Sequence, residues 1–229
     1  MSNVPTLPQA PTPAPVSSPP SFYRWLILVL GLCVALLALV RMNQNSNAIP
    51  LPSKLSKLSL IPPFSLTERN GRTITNHDLA GKIWIADFVY TTCPGPCPLV
   101  TAEMAKLQTD TMNDPQVQLV TFTVDPQTDT PEVLAKYADQ YHADSNKWWF
   151  LTGPEKQMYD VIQNGFLQAV QDNRSQPQEP GQYTVTHSTY FALVDATGCM
   201  RNVYASQDAQ KRQDLLRDIK ILEQEEQGQ

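Results

Sequence analysis

The chain has 229 residues and a formal net charge of −5. Four basic and no acidic residues precede Glu68, so that stretch carries +4 and the remainder −9. An acidic domain on a basic stem excludes phosphate-backbone recognition, which needs clustered Lys and Arg, so no nucleic-acid partner is expected. With only 4 cysteines the chain is not a disulfide scaffold either, and the placement of the thiols carries more information than their number.

Residues 1–21 are rich in Pro, Ser, Thr and Gln and carry no charged side chain, which predicts a disordered tail. Phe22 to Val40 is apolar apart from Arg24, and at about 1.5 Å per residue it is long enough to cross a bilayer core. Phe22, Tyr23 and Trp25 read as an interfacial aromatic anchor. A cleaved signal peptide is the competing reading, but Arg41-Met42-Asn43 is no small-x-small cleavage site. Leu32 before Cys33 likewise argues against a lipid-modified cysteine. Residues 22–40 are therefore expected to form a single transmembrane helix, with 41–57 as a polar linker and 58–226 as the globular domain.

Within that domain Phe64–Thr67 and Arg72–Thr75 alternate around an Asn70-Gly71 turn, the pattern of a hairpin. Asn76 or Asp78 is placed to cap a short turn ending at Gly81. Ile83–Tyr90 is an apolar, β-rich run. It breaks at Thr91-Thr92 and is followed by Cys93-Pro-Gly-Pro-Cys97-Pro98 and a helical pattern through Leu107. Gln116–Val124 reads as a second buried strand. Thr130 as N-cap and Pro131 as first helical residue start a helix to about His142. Trp148–Thr152 is a third strand, and Met158, Val161, Ile162 and Phe166 lie at helical spacing after Gly153-Pro154. Gln171–Gln182 is a polar loop. Ser188–Asp195 and Cys199–Tyr204 flank an Ala-Thr-Gly turn, and Asp208 to about Glu225 is a terminal helix. Strands alternating with helices and closed by a hairpin and a helix predict an α/β fold, a mixed sheet flanked by helices in the thioredoxin-like arrangement.

Cys93 and Cys97 carry the strongest chemical signal. At i and i+4 on the first turn of a helix the sulfurs share one face. The helix dipole there favours thiolate. The spacing suits a disulfide or metal chelation, and the residues leave both open. His187 begins a strand that, in such a sheet, lies near the Cys turn. Two thiolates and an imidazole make a site for a soft ion of low coordination, for which Cu(I) is the natural choice. Zn(II) normally wants a fourth ligand. Met104 is expected in the core rather than at the metal, and His77 and His142 at the surface. At least one of Trp148 and Trp149 is expected to be core.

Three segments resemble the Sco/SenC family of copper chaperones for cytochrome c oxidase: Tyr-Thr-Thr-Cys-Pro-Gly-Pro-Cys-Pro, Val-Asp-Pro-Gln-Thr-Asp-Thr-Pro, and Thr-His-Ser-Thr-Tyr-Phe-Ala-Leu-Val-Asp. The resemblance covers about Ile61 to Leu222. It implies copper, as Cu(I) or Cu(II), held by Cys93, Cys97 and His187. It places the family's aspartate on Asp125, either a carboxylate that tunes the thiols or a turn residue bonding its own backbone. Two positions depart from the family pattern. Leu99 stands where an acidic residue is usual, and Cys199 is an extra cysteine, read as an inert core thiol against an extra redox partner.

By resemblance the chain is a membrane-anchored metallochaperone. It would deliver copper to the binuclear copper centre of a cytochrome c oxidase subunit, with other copper chaperones or thiol reductants as further partners. The alternative is a thiol–disulfide oxidoreductase that reduces the acceptor's cysteines, with Cys93 attacking and Cys97 resolving. A peroxidase reading lacks the expected Pro-x-x-x-Thr before a single reactive Cys. Gln171–Gln182 is a candidate hinge for His187. Thiol chemistry facing a respiratory oxidase places the domain in the periplasm, anchored in a bacterial inner membrane. The basic flanks of residues 22–40 say little about orientation.

Overall fold

A computed structural model describes residues 25–36, 54–169 and 189–227, with the backbone of 171–172 and 185–186. The chain divides into two units, Met1–Leu51 and Pro52–Gln229. Helix α1, residues 25–36, is the described part of the first unit. Trp25, Ile27, Leu28 and Leu30 on it are exposed. It lies inside the expected anchor at 22–40, whose other residues fall outside the described ones, as do the tail 1–21 and positions 41–53 of the linker. Among the described residues no helix is long and apolar enough to cross a membrane.

In the second unit β1 (Ser59–Leu60), β2 (Ser65–Glu68) and β3 (Thr73–Thr75) precede the short helix α2 (Asn76–Leu79). The hairpin β2–β3 pairs Leu66 with Ile74, as the alternation predicted. The cap of α2 differs from expectation. Thr75 is the N-cap, and Asp78 completes a capping box by accepting the Thr75 N–H at 2.8 Å. There follow β4 (Ile83–Val89), α3 (Cys97–Thr111), β5 (Val117–Thr123), α4 (Pro131–Gln140), β6 (Trp148–Thr152) and α5 (Glu155–Asp160). Thr130 caps α4 and Pro131 opens it, as read. Beyond α5 the backbone widens into a π-helical turn, Val161–Gly165, closed by the Phe166 N–H on the Val161 carbonyl at 3.3 Å. The predicted polar loop starts with β7 (Gln171–Asp172), which pairs antiparallel with β8 (Val185–Thr186). The remaining elements are β9 (Tyr190–Val194), β10 (Cys199–Ala205) and α6 (Ala209–Gln227).

Eight strands form one mixed sheet in the order β1-β10-β9-β4-β5-β6-β2-β3. β4, β5 and β6 are parallel and fully buried, so they read as continuous apolar runs rather than alternating ones. Successive β4 side chains point to opposite layers. Trp84 and Phe88 stack edge-on against Phe166 beyond the π turn, at 5.7 and 4.9 Å between ring centroids. Asp87 points the other way, beside Thr121 of β5. On that side α3 and α4 are joined by Thr101 Oγ1 and the Tyr137 hydroxyl at 2.8 Å, and α6 reaches α3 through Arg212 and Asp110. Trp148 and Trp149 are both buried, and Met104 is a core residue as expected. The unit is thus the mixed sheet with flanking helices that the element order predicted.

Candidate metal centre

β4 ends at Val89 and delivers the chain to the two thiols. The helix that follows begins at Cys97, with Pro96 as N-cap and Pro98 in its first turn. Cys93 does not share that turn, contrary to the sequence reading. It stands just ahead of the bend at 94–96, its N–H donating to the Tyr90 carbonyl at 3.2 Å. Pro94 explains the difference, because a proline disfavours helical backbone at the residue before it. The thiols meet all the same. Cys93 and Cys97 are hydrogen-bonded to each other and are not joined as a disulfide. Cys97 is fully buried and Cys93 is 8% exposed, so solvent and partners reach Cys93 first.

The helix dipole does not make Cys97 a thiolate, as had been expected. The hydrogen bond with Cys93 is the main reason its thiol is pushed far up, burial adds to it, and a backbone hydrogen bond from Tyr90 opposes both. A fully buried sulfur beside a second thiol favours the neutral form more strongly than one helix end favours the charged one. Cys97 is thus a soft donor held toward its neutral form, and it gives up its proton when a metal binds.

The Cys turn is held from below by a residue the sequence reading passed over. Asp129 is fully buried. Its carboxylate accepts the Thr91 N–H at 3.3 and 3.2 Å, the Thr91 hydroxyl at 2.5 Å and the Thr123 hydroxyl at 2.5 Å. Burial pushes its carboxyl up and these donors partly offset that. Its signal in the sequence was its place directly before the N-cap Thr130. Asp125, two residues beyond β5, is buried, and its backbone forms the turn. Its N–H donates to Thr123 Oγ1 at 3.0 Å, and its carbonyl accepts from Thr128 and Asp129 at 3.1 and 2.9 Å. Asp125 and Asp129 thus share Thr123.

Asp87 was also passed over, although a carboxylate inside an apolar strand is a conspicuous signal. It is fully buried, and desolvation raises its carboxyl to about 7. His187 lies outside the described residues. The residue before it, Thr186, pairs with Gln171 in the β7–β8 ribbon, and the rest of the proposed hinge also lies outside. Among the described residues no group of three or more His, Cys, Asp or Glu is placed to hold a metal, so Cys93 and Cys97 stand as two donors there.

Cys199 is buried opposite Leu60, and its neighbour Met200 aligns through Val194 with Trp84, at the start of β4. The Cys turn follows the other end of that strand, so Cys199 sits in the core at the opposite end of the sheet. Leu99 is 57% exposed just past Cys97, and His77 and His142 are exposed as expected.

Residues 53–222 match the model of the SCO1/SenC family. The SCO1 protein homolog of Bacillus subtilis is 30% identical over 161 residues, covering 70% of this chain and 81% of the relative. The solved structure of BsSco, described as a member of the Sco family of cytochrome c oxidase assembly proteins with a disulfide switch, superposes with a TM-score of 0.63 at 28% identity, covering 74% of this chain and 97% of that one. ScoI of Bradyrhizobium japonicum, solved with copper bound, gives a TM-score of 0.59 at 26% identity, covering 69% and 99%. The chain belongs to the SCO1/SenC family.

Proposed function

We propose that this protein binds copper as cargo through Cys93, Cys97 and His187 and passes it to the copper-bearing subunit of a cytochrome c oxidase during assembly. The observation that carries the reading is the Cys93–Cys97 pair, held as hydrogen-bonded thiols at the end of the central strand. Two soft sulfur donors on a stiff turn fit copper. The relatives support the same cargo, one being solved with copper bound and another described as an oxidase assembly protein. His187, directly after the β7–β8 ribbon, supplies the imidazole, and Asp125 lends its carboxylate beside the turn. The exposed apolar helix α1 supports an anchor over 22–40. The anchor is assigned to a bacterial inner membrane with the second unit in the periplasm because thiol chemistry of this kind belongs on the oxidising side of the membrane.

The pair also interconverts between dithiol, which holds copper, and disulfide, which does not. Cys93, the more exposed sulfur, is the one an external thiolate attacks, and buried Cys97 is the leaving sulfur. This redox chemistry serves copper exchange, and in the alternative reading it is the activity itself. The reduced full chain is titrated with Cu(I) and Cu(II) beside the His187→Ala variant. Chelation by the variant falls at least tenfold while thiol exchange persists if the protein is a chaperone. Thiol exchange by a wild-type protein with no copper affinity supports the reductase instead.

A further inference from the structure

Cys97 is tied to a second helix by two hydrogen bonds in series. Thr101, one turn along α3, is fully buried, and its hydroxyl lies 2.9 Å from the Cys97 carbonyl. A carbonyl can only accept, so the single Thr101 hydroxyl hydrogen goes there. The Tyr137 hydroxyl of α4 lies 2.8 Å from the same Thr101 Oγ1 and therefore supplies the hydrogen between them. The series runs one way, from Tyr137 through Thr101 to Cys97.

A threonine that bonds its own helix four residues back is common. Two others on α3 do so, Thr109 on the Ala105 carbonyl at 3.2 Å and Thr111 on the Leu107 carbonyl at 2.8 Å. Among the described residues, only Thr101 of these three also bonds a side chain of another helix. Tyr137 is braced independently of α3. Its ring meets that of Tyr141 at 5.1 Å and, edge-on, that of Phe150 of β6 at 6.4 Å between centroids.

The other end of the Cys turn hangs from the same helix. Asp129, directly before the N-cap of α4, holds Thr91, two residues ahead of Cys93. α4 thus carries both sides of the turn that presents the sulfurs. How often two thiols stand at bonding distance governs their closure to a disulfide, which needs Cβ atoms about 3.5–4.5 Å apart. It governs their joint grip on one ion in the same way.

We propose that Tyr137 is a positioning residue for the thiol pair. Its hydroxyl, through Thr101, fixes the Cys97 end of the turn to α4, as Asp129 fixes the Cys93 end, and one helix sets the separation of the two sulfurs. The inference rests on the reading that Cys93 and Cys97 act as a pair, which the copper and thiol-exchange readings share.

The test compares the full-length wild type with Tyr137→Phe, which removes the hydroxyl and keeps the ring contacts. Each protein is equilibrated with reduced and oxidised dithiothreitol. The Cys93 and Cys97 thiols give up two electrons and two protons as their S–S bond forms, and the S–S bond of the reagent takes them up as it breaks. Alkylation and mass give the fraction oxidised. The closing constant is expected to fall about 3- to 10-fold in Tyr137→Phe, the size of one neutral hydrogen bond. Tenfold is about 30 mV for this two-electron couple. Cu(I) affinity, by competition with a Cu(I) chelator, should fall in the same range. Thr101→Val should match Tyr137→Phe, and adding it to Tyr137→Phe should change nothing further. Thr101→Ser keeps a hydroxyl and should behave as wild type. Tyr204→Phe is the control for a merely structural loss. It removes another buried hydroxyl, bonded to Asp218 at 2.7 Å on a strand two places from β4, and should lower stability without moving the dithiol equilibrium. An unchanged or increased closing constant in Tyr137→Phe, or an equal fall in Tyr204→Phe, overturns the proposal. Should Tyr137→Phe not fold, Thr101→Val decides by the same measurement. A wild-type protein without Cu(I) affinity overturns the copper reading alone, and the dithiol equilibrium still decides on Tyr137.

Discussion

Asp129 holds Thr91, two residues ahead of Cys93, by both its backbone N–H and its hydroxyl, the latter at 2.5 Å. The start of the Cys turn is thereby bonded to the loop that leads into α4. Thr123, bonded to the other carboxylate oxygen, ties the same group to the end of β5. The turn that presents the thiols is clamped by one buried side chain.

Replacing Asp129 with Ala leaves the buried Thr123 hydroxyl, the half-buried Thr91 hydroxyl and the Thr91 backbone N–H without their acceptor. Each orphaned buried group costs about 1–3 kcal/mol, and the effects overlap, so a loss of roughly 2–4 kcal/mol is expected. Urea unfolding of the copper-free protein measures it. Asp129→Asn should cost less, since it keeps one acceptor oxygen. Copper affinity should fall in both variants, because Thr91 no longer fixes the turn. A destabilisation below about 0.5 kcal/mol for Asp129→Ala would show that water replaces the clamp.

Asp87 makes stability depend on pH with a definite sign. Its carboxyl is raised from 3.8 to about 7 by burial. Between those values the folded state keeps a proton that the unfolded state has released. The stabilising contribution is complete below the unfolded value and is lost as pH rises through the folded one. Relative to Asp87→Asn, which has no such group, the wild type should lose on the order of 3–4 kcal/mol between about pH 4 and pH 8. Urea midpoints of the two reduced proteins at both pH values give the difference, with other titrations cancelling. A difference independent of pH would contradict the burial of an ionisable group there.

Arg201 is buried and pairs with Asp195 and Glu225, each at 2.9 Å. It also donates to the carbonyls of Ser56, at 3.0 Å, and Leu55, at 2.5 Å. One guanidinium therefore joins the start of the globular unit, the β9–β10 hairpin and the last turn of α6. Arg201→Ala strands two carboxylates in a low-dielectric site and should cost about 3–5 kcal/mol. Thermal unfolding should show it, together with earlier proteolysis near Leu55. Replacing all three partners with apolar residues should recover much of the loss.

The anchor proposal predicts that removing residues 22–40 moves the protein from the membrane to the soluble fraction. A reporter fused to the C-terminus and active only in the periplasm should give signal in the intact protein. Activity of a cytoplasm-only reporter would reverse the orientation.

Much of the second unit was legible in the chain itself, for local reasons. Alternation marked the β2–β3 hairpin, Thr130-Pro131 marked the start of α4, and an apolar run into a Pro-rich Cys turn marked β4 and α3. These signals depend on neighbours a few residues apart, where backbone sterics and capping act. The two-sulfur centre was legible too, as a spacing. What tertiary structure decided was how that centre is held and charged. Pro94 keeps Cys93 out of the helix, yet the fold still brings its sulfur onto Cys97. The state of Cys97 follows from its hydrogen bond with Cys93 and from burial, which together outweigh the helix dipole that a local reading favours. Asp129 and Asp87 became important only once β4, β5 and β6 lay side by side, because Thr91, Thr123, Thr121 and Trp148 reach them from separate elements. Burial and long-range hydrogen bonding are sums over residues distant in the chain, and no window along the sequence contains them.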